Sequence, residues 1–374
     1  MSSRDRSRTS LLSVFGDRGG KAVRYMVVGA AIGLGITGVN VVVPASDSPG
    51  AGAPVAVHQA GQADVAGQAA PAQQSAGLLG TGKAQQKQDM VDLGDGTKLA
   101  AWEMKDGVKE FVLTAAPMQW QAEPGGRVFD ALSINGQIPA PTIRVNEGDK
   151  LRFVVKNEMP QPTAIHWHGM DLPNSQDGVP HLTQHPIAPG ETFTYEWTAI
   201  STGTHWYHSH MHGDQEGRGL YGSLEVVPRL GEIQSDRDYR IIMGDGPLGF
   251  VFNGKSFPGT AQLRGAVGER IRLRLIGAGP EMVHSIHVHS GFFEVVAQDG
   301  HRKAIPERMD TITVSVGQTY DVIWVPTRPG KWMIHCHVFS HSETPNGMQG
   351  MVSIANIEPA TARLPSIPGI TSTG

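Results

Sequence analysis

The chain has 374 residues, enough for two or three domains, with 47 Gly, 25 Pro and an aromatic content of only 6%. That composition suits a turn-rich β protein with polar linkers and disfavours a helical one. A net charge of -4 leaves no basic footprint for nucleic acid, and a single cysteine excludes an internal disulfide framework.

Residues 1–24 carry Arg4, Arg6, Arg8, Arg18, Lys21 and Arg24, and an uncharged apolar run follows over 25–43. Basic residues ahead of an apolar stretch set a cytoplasmic N-terminus. The run is long enough for a helix across a bilayer, and Val43-Pro44-Ala45 also offers small or apolar residues to a signal peptidase. It reads as a signal anchor or as a signal-peptide core. Both place the remainder outside the cytoplasm: periplasmic, cell-surface or secreted. Possible membrane attachment therefore rests on residues 25–43, and no twin-Arg pair points to folded export.

Residues 44–104 are expected to be a flexible, disordered linker, because most of the segment is rich in Ala, Gly, Gln, Ser and Pro without a hydrophobic period. Strand-like alternation begins near Phe111. Leu151, Phe153 and Val155 alternate with Arg152, Val154 and Lys156, which predicts a strand with one buried face after the turn Asn146-Glu147-Gly148-Asp149.

The sequence then repeats itself. Gly148-Asp149-Lys150-Leu151-Arg152-Phe153 is matched by Gly268-Glu269-Arg270-Ile271-Arg272-Leu273. His166-Trp167-His168 is matched by His287-Val288-His289, Gln176-Asp177-Gly178 by Gln298-Asp299-Gly300, and Trp197 by Trp324. Each copy ends on a further pair, His208-Ser209-His210 or His335-Cys336-His337. Two homologous β domains follow, over 105–230 and 231–358, with a tail at 359–374. Short strands and frequent Gly/Pro turns predict Greek-key sandwiches or barrels.

Ten of the 16 His fall in this pattern: His166, His168, His208, His210, His284, His287, His289, His335, His337 and His341. On a strand, His-x-His turns both rings to one face, where they form either a chelating pair or a wet surface. Two such pairs in each of two related domains point to metal. Cys336 with two His and Met348 is the ligand set of a blue-copper site. His335 and His337 bracket Cys336, so they point away from its metal and are free to hold another. Structural zinc closes four ligands per site, usually with more Cys, and this set does not divide that way.

His166-Trp167-His168-Gly169, His205-Trp206-Tyr207-His208-Ser209-His210, His284-x-x-His287-x-His289 and His335-Cys336-His337-x-x-x-His341 occur in the order found in multicopper oxidases. Over about 105–358 the chain resembles that family, and specifically its small two-domain bacterial laccases with type 1 copper in the second domain. The resemblance implies two cupredoxin-like domains and four coppers per chain: one type 1, one type 2 and a type 3 pair. By position, His284, Cys336 and His341 would hold type 1 copper, with Met348 axial. His166 and His287 would hold type 2. His168, His208, His210, His289, His335 and His337 would hold type 3. Ser209 stands where the repeat would put a Cys, so the first domain has no blue-copper site of its own.

The implied reaction couples one-electron oxidation of a phenolic or aromatic donor, docked near His284 or His341, to four-electron reduction of dioxygen to water. Electrons would pass through the Cys336 thiolate and its backbone to His335 and His337. Asp177 would orient water or a ligand and relay protons; Asp299 holds the repeated position. The chain departs from the family at Phe339, where many relatives carry an acid. The loop from His341 to Met348 is also lengthened, which leaves Met351 or no axial ligand as alternatives. His181, His185, His205 and His212 lie outside the ligand pattern. The resemblance further implies a homotrimer in which domain one of one subunit meets domain two of the next. The competing functions are a metal-ion oxidase for Fe(II) or Cu(I), a copper nitrite reductase and a non-catalytic cupredoxin-fold binding protein. A nitrite reductase carries its type 1 Cys in the first domain, where this chain has Ser209.

Overall fold

The computed structural model describes residues 87–211 and 213–360. The expectations for residues 1–24, for the apolar run 25–43, for the linker up to residue 86, for the tail beyond 360 and for His212 lie outside the described residues. Among the described residues, no helix is long and apolar enough to cross a membrane.

The folded region is built almost entirely of strands. In the first domain one sheet is centred on Val108–Gln121, Lys150–Asn157 and Thr192–Thr198. The facing sheet runs Ala140–Asn146, Tyr221–Val227, Gly203–Ser209, Ile165–His168. The second domain repeats both orders. Arg237–Gly244, Ile271–Gly277 and Thr319–Trp324 make the first sheet, and Leu263–Ala266, Val352–Glu358, Gly330–Cys336 and His284–Val288 the second. In each domain the leading pair of each sheet is parallel and the remaining pairs of these sets are antiparallel. That arrangement is the Greek-key sandwich expected, and the repeat in sequence is a repeat in topology. Domain two adds Thr311–Val314 beyond His284–Val288, whereas the matching strand Ile165–His168 ends its sheet.

Residues 87–104, expected as the end of the linker, instead form four short strands: Lys87–Gln88, Val91–Asp92, Lys98–Leu99 and Trp102–Lys105. Leu99, Ala100 and Trp102 are buried. The strands are too short to show a period of two, which is why composition alone read them as linker. Elsewhere the alternation holds. Leu151, Phe153 and Val155 are buried, and Phe153 packs against Trp167 with ring centroids 4.2 Å apart. Burying such large rings supplies most of the stabilisation of a sandwich core.

The two domains meet across a buried charged seam. Glu225, on Tyr221–Val227, accepts from Arg240 Nε at 2.6 Å and Nη2 at 2.9 Å, and from Arg144 Nη1 at 2.6 Å. Arg274 lies 3.6 Å from the same carboxylate and also binds Asp238. The arginines hold the Glu225 carboxyl well below the usual range against the opposing effect of burial. Thr204 of the first domain donates to Asp321 of the second at 2.7 Å. Beside this seam, Trp206 and Tyr221 pack on Ile242, Ile276 and Ala278.

Removing one partner of a buried, multiply bonded ion pair leaves charge unpaired, typically at a cost of about 3–5 kcal/mol. Glu225→Ala, which takes the bidentate partner from buried Arg240 while Arg274 keeps Asp238, is therefore expected to lower unfolding free energy by roughly that amount in denaturant titrations. A loss below about 1 kcal/mol, the range of exposed pairs, would show that the seam does not hold the domains.

Candidate metal centre

Period-two alternation along Gly330–Cys336 decides where the His-Cys-His side chains go. Cys336 turns inward and is fully buried among the residues of the second core, with Ile286, Ile334 and Met351. His335 and His337 turn to the other side, with their rings 5.3 Å apart.

On the inward side Cys336 meets His284 and His341. The donor atoms of all three lie within 4.8 Å of one another, and all three residues are buried. The Nδ1 atoms of the two imidazoles face each other at 3.2 Å, and Cys336 Sγ lies 3.5 Å from His341 Nδ1. The ring edges beyond differ. His284 Nε2 is sealed in, 3.5 Å from Asp245 Oδ2, whereas His341 lines a cavity of about 300 Å³ and its ring stacks under Phe250 at 3.9 Å. Of the two histidines proposed to face the donor, His341 is the one the cavity reaches.

On the outward side, cross-strand register gathers the histidine pairs. His166 lies directly opposite His208, and His287 directly opposite His335. Rings of His166, His168, His208 and His210 pack at 5.4–6.0 Å, and those of His287, His289, His335 and His337 at 5.1–5.7 Å. His208 and His335 are buried, while their partners His210 and His337 are exposed. Among the described residues no ring of one group touches a ring of the other, so one chain presents two four-histidine groups, each open on one side.

Four of these rings are fixed through Nδ1. His166 Nδ1 donates to the Asp177 carbonyl at 2.8 Å, and His287 Nδ1 to the Asp310 carbonyl at 2.8 Å. His335 Nδ1 donates to the Cys336 carbonyl at 3.1 Å. His208 Nδ1 lies 3.0 Å from the Ser209 carbonyl and 2.8 Å from Glu216 Oε2. These contacts leave Nε2 free, and His208 Nε2 is buried with no hydrogen-bond partner. A metal-ligating imidazole ordinarily donates its other N–H to a carbonyl or carboxylate in this way. Burial pushes His168 and His335 down to about 4, so both are neutral, the form that binds metal, well below neutral pH. A soft thiolate with two Nδ1 donors on one side and free Nε2 donors on the other is a donor set that fits copper at both places.

The remaining candidates fall as follows. Asp177 fixes His166 through its carbonyl, with its carboxylate 3.4 Å from Nδ1. Gly178 allows this, because a Cβ there would lie 1.8 Å from the Ile165 carbonyl. Asp299 borders a cavity of about 250 Å³ shared with His168, His205 and Trp206. Ser209, in the Cys336 position, donates instead to Gln215 at 2.6 Å. Met348 sits on the hairpin Glu343–Thr344/Gly347–Met348 and is 48% exposed, whereas Met351 is fully buried beside Cys336, whose amide donates to its carbonyl. Phe339 is exposed, as are His181 and His185, and His205 is buried against the Thr202 carbonyl. Glu216 and Asp245 were not singled out from sequence. Neither belongs to a ligand motif, and only the fold brings them to His208 and His284.

The fold and the two kinds of site define a β-sandwich protein with one buried Cys–His site and eight further clustered imidazoles, donor sets that suit metal ions. Family profiles described as multicopper oxidase match residues 118–230 and 228–356. A blue copper oxidase from Nitrosomonas europaea is 38% identical, with a TM-score of 0.61 over 66% of this chain and 85% of that one. Laccase-3 of Arabidopsis thaliana is 30% identical over 64% of this chain and 47% of its own length. Copper resistance protein A of Escherichia coli is 41% identical over 32% of this chain and 20% of its own. The chain thus spans less than half of these two curated relatives. It belongs to the multicopper oxidase family.

The low values of His168 and His335, against an ordinary 6.5, fix the sign of a pH effect on the metal-free protein. On acidification the unfolded chain binds protons that the folded chain refuses. Stability is therefore expected to fall progressively from about pH 6.5 to about pH 4. Melting temperature against pH checks this. His168→Gln should flatten the slope, and an unchanged slope would mean that the ring titrates normally in the fold.

Proposed function

We propose that the protein is a laccase-like oxidoreductase that couples one-electron oxidation of phenolic or aromatic donors to four-electron reduction of dioxygen to water. The observation that carries this reading is the continuity of one strand: Cys336, buried with His284 and His341, is peptide-bonded to His335 and His337 of a four-histidine group. Copper bound at these residues supplies the one-electron steps and the site of oxygen reduction. His284, Cys336 and His341 would hold the type 1 ion, His166 and His287 the type 2 ion, and His168, His208, His210, His289, His335 and His337 the type 3 pair.

The chain's own groups do the rest. The cavity over His341 admits a donor against Leu248, Phe129 and Phe250, an apolar and aromatic lining suited to a phenol. Its wall is completed by residues 122–129 of the first domain, a loop and the start of the next strand, pinned where Ser256 N donates to the Ala122 carbonyl at 3.0 Å and Gln349 to Glu123 at 2.9 Å. Glu123 and Glu343 on the same wall favour a second reading, metal-ion oxidation, with Fe(II) rather than soft Cu(I) as the ion that carboxylates suit. Asp177, half-buried beside His166, orients water and moves protons at the oxygen site.

Each four-histidine group is open on one side, and a head-to-tail ring would close one against the other. This supports a homotrimer, with domain one of each subunit on domain two of the next. The extracytoplasmic reading, with residues 25–43 as anchor or signal, belongs to the same proposal.

Copper loading of the purified protein should give close to four coppers per chain, an intense blue band and oxygen uptake with a phenol. One copper per chain, or no uptake with any donor, contradicts the reading. Cys336→Ser should abolish the blue band and keep most of the remaining copper. With Fe(II) as donor, Glu123→Gln together with Glu343→Gln should lower kcat/KM well below its value for phenols if the cation is the substrate. Equal effects on both donors favour phenols.

By position Met348 would supply the thioether of the type 1 set, although Met351 is the methionine buried beside Cys336, so Met348→Leu should shift the type 1 potential upward. A shift produced by Met351→Leu instead would move the assignment.

A further inference from the structure

Tyr221 is fully buried, and its hydroxyl has no hydrogen-bond partner. A buried hydroxyl left unpaired costs stability, and phenylalanine would fill the same space without that cost. The core packing of Trp206, Ile242, Ile276 and Ala278 around the ring gives no reason for the oxygen. Its surroundings do.

Tyr221 lies directly opposite His208 across the antiparallel pair, so the two residues share one face of the sheet. From there the side chain reaches out of the first domain into the second. A Cβ on Gly244 would lie 2.3 Å from the Tyr221 oxygen, so residue 244 has to be glycine for the ring to pass. The next residue is Asp245. Its Oδ2 lies 3.5 Å from His284 Nε2 and accepts from the Met282 amide at 2.8 Å, while Oδ1 accepts from the Glu281 amide at 3.3 Å. On the other side, Glu216 lies 2.8 Å from His208 Nδ1. The short helix Gly213–Gly217 that carries Glu216 packs on the turn Gly246–Leu248 that follows Asp245. Burial, reinforced by the charges of Asp245 and Glu216, pushes the phenol well up, so it stays a neutral O–H. Two buried carboxylates, one 2.8 Å from His208 Nδ1 and one 3.5 Å from His284 Nε2, thus lie near one orphan hydroxyl that hydrogen-bonds to neither.

We propose that Glu216, Tyr221 and Asp245 form a polar bridge through the domain interface that couples His208 to His284 within one chain. The three are positioning residues: Glu216 sets the ring of His208, Asp245 sets that of His284, and the Tyr221 hydroxyl transmits a change at one carboxylate to the other. The bridge is distinct from the Cys336 link. That link joins the thiolate centre to His335 and His337 of its own domain, whereas the bridge joins it to the histidines of the preceding domain. The inference rests on the copper reading only for what the bridge would regulate. The occupancy or charge of the thiolate centre would bias the ligand geometry of the first domain's group, and the reverse.

The test is a double-mutant cycle on the full-length, metal-free chain, with Glu216→Gln and Asp245→Asn alone and together, in the wild type and in a Y221F background. Unfolding free energies come from denaturant titration. The two carboxylates sit on different domains, so a bridge makes their losses non-additive with tyrosine in place and additive in Y221F. Y221F itself should fold at least as stably as the wild type. Additive losses in both backgrounds, or the same non-additivity in both, overturn the bridge; the second would mean direct interaction without the hydroxyl. If a carboxylate variant does not fold, the copper-loaded Y221F protein decides alone. Its blue band and type 1 potential should differ from the wild type although Tyr221 touches none of His284, Cys336 and His341, and identical values overturn the proposal. A wild type that shows no blue band defeats the copper reading instead, and the metal-free cycle still decides the bridge.

Discussion

The period of two along a β-strand is the constraint on which this molecule turns. It forces Cys336 into the core and sends His335 and His337 to the opposite side, so one strand serves two sites that cannot mix their ligands. The ring tautomers follow the same division. Inside, Nδ1 of His284 and His341 faces the thiol. Outside, Nδ1 of His166, His208, His287 and His335 is bound to backbone carbonyls, and Nε2 is left for metal. The protein therefore orients these six imidazoles before any metal arrives, which is what pre-organisation of a metal site requires.

The second requirement is a fixed relation between the domains. The cavity over His341 takes part of its wall from residues 122–129 of the first domain, and Tyr221 crosses from one domain to Gly244 of the other. Both depend on the seam in which Glu225 is held by Arg240, Arg144 and Arg274. Buried ion pairs are weak evidence for stability, because desolvation offsets much of the Coulomb gain. Their geometric demands are strict, however, and here they set the register between two sandwiches whose shared apolar cluster is small.

Much of this was legible in the sequence because it is written in periodicity and repetition. The alternation of Leu151, Phe153 and Val155 gave the strand and its buried face. The paired His-x-His motifs gave the two histidine groups, since cross-strand register turns sequence repeats into spatial neighbours. What sequence left out are partners brought by the fold alone. Glu216 and Asp245 carry no motif, Arg240 and Glu225 are distant charged residues on separate strands, and the exposure that separates His341 from His284 is set by Phe250 and a loop of the other domain. The short strands of 87–104 were missed because two- to four-residue strands carry too little pattern to stand out from a Gly-rich linker.

Under the proposed function one strand joins a complete Cys–His site to half of a second site that a neighbouring chain would complete. Anomalous diffraction at the copper edge from crystals of the copper-loaded protein tests it directly. One peak is expected enclosed by His284, Cys336 and His341 of a single chain. The remaining peaks are expected between the first-domain histidines of one chain and the second-domain histidines of the next. Peaks confined to each four-histidine group within one chain, or no peak beside Cys336, would contradict it.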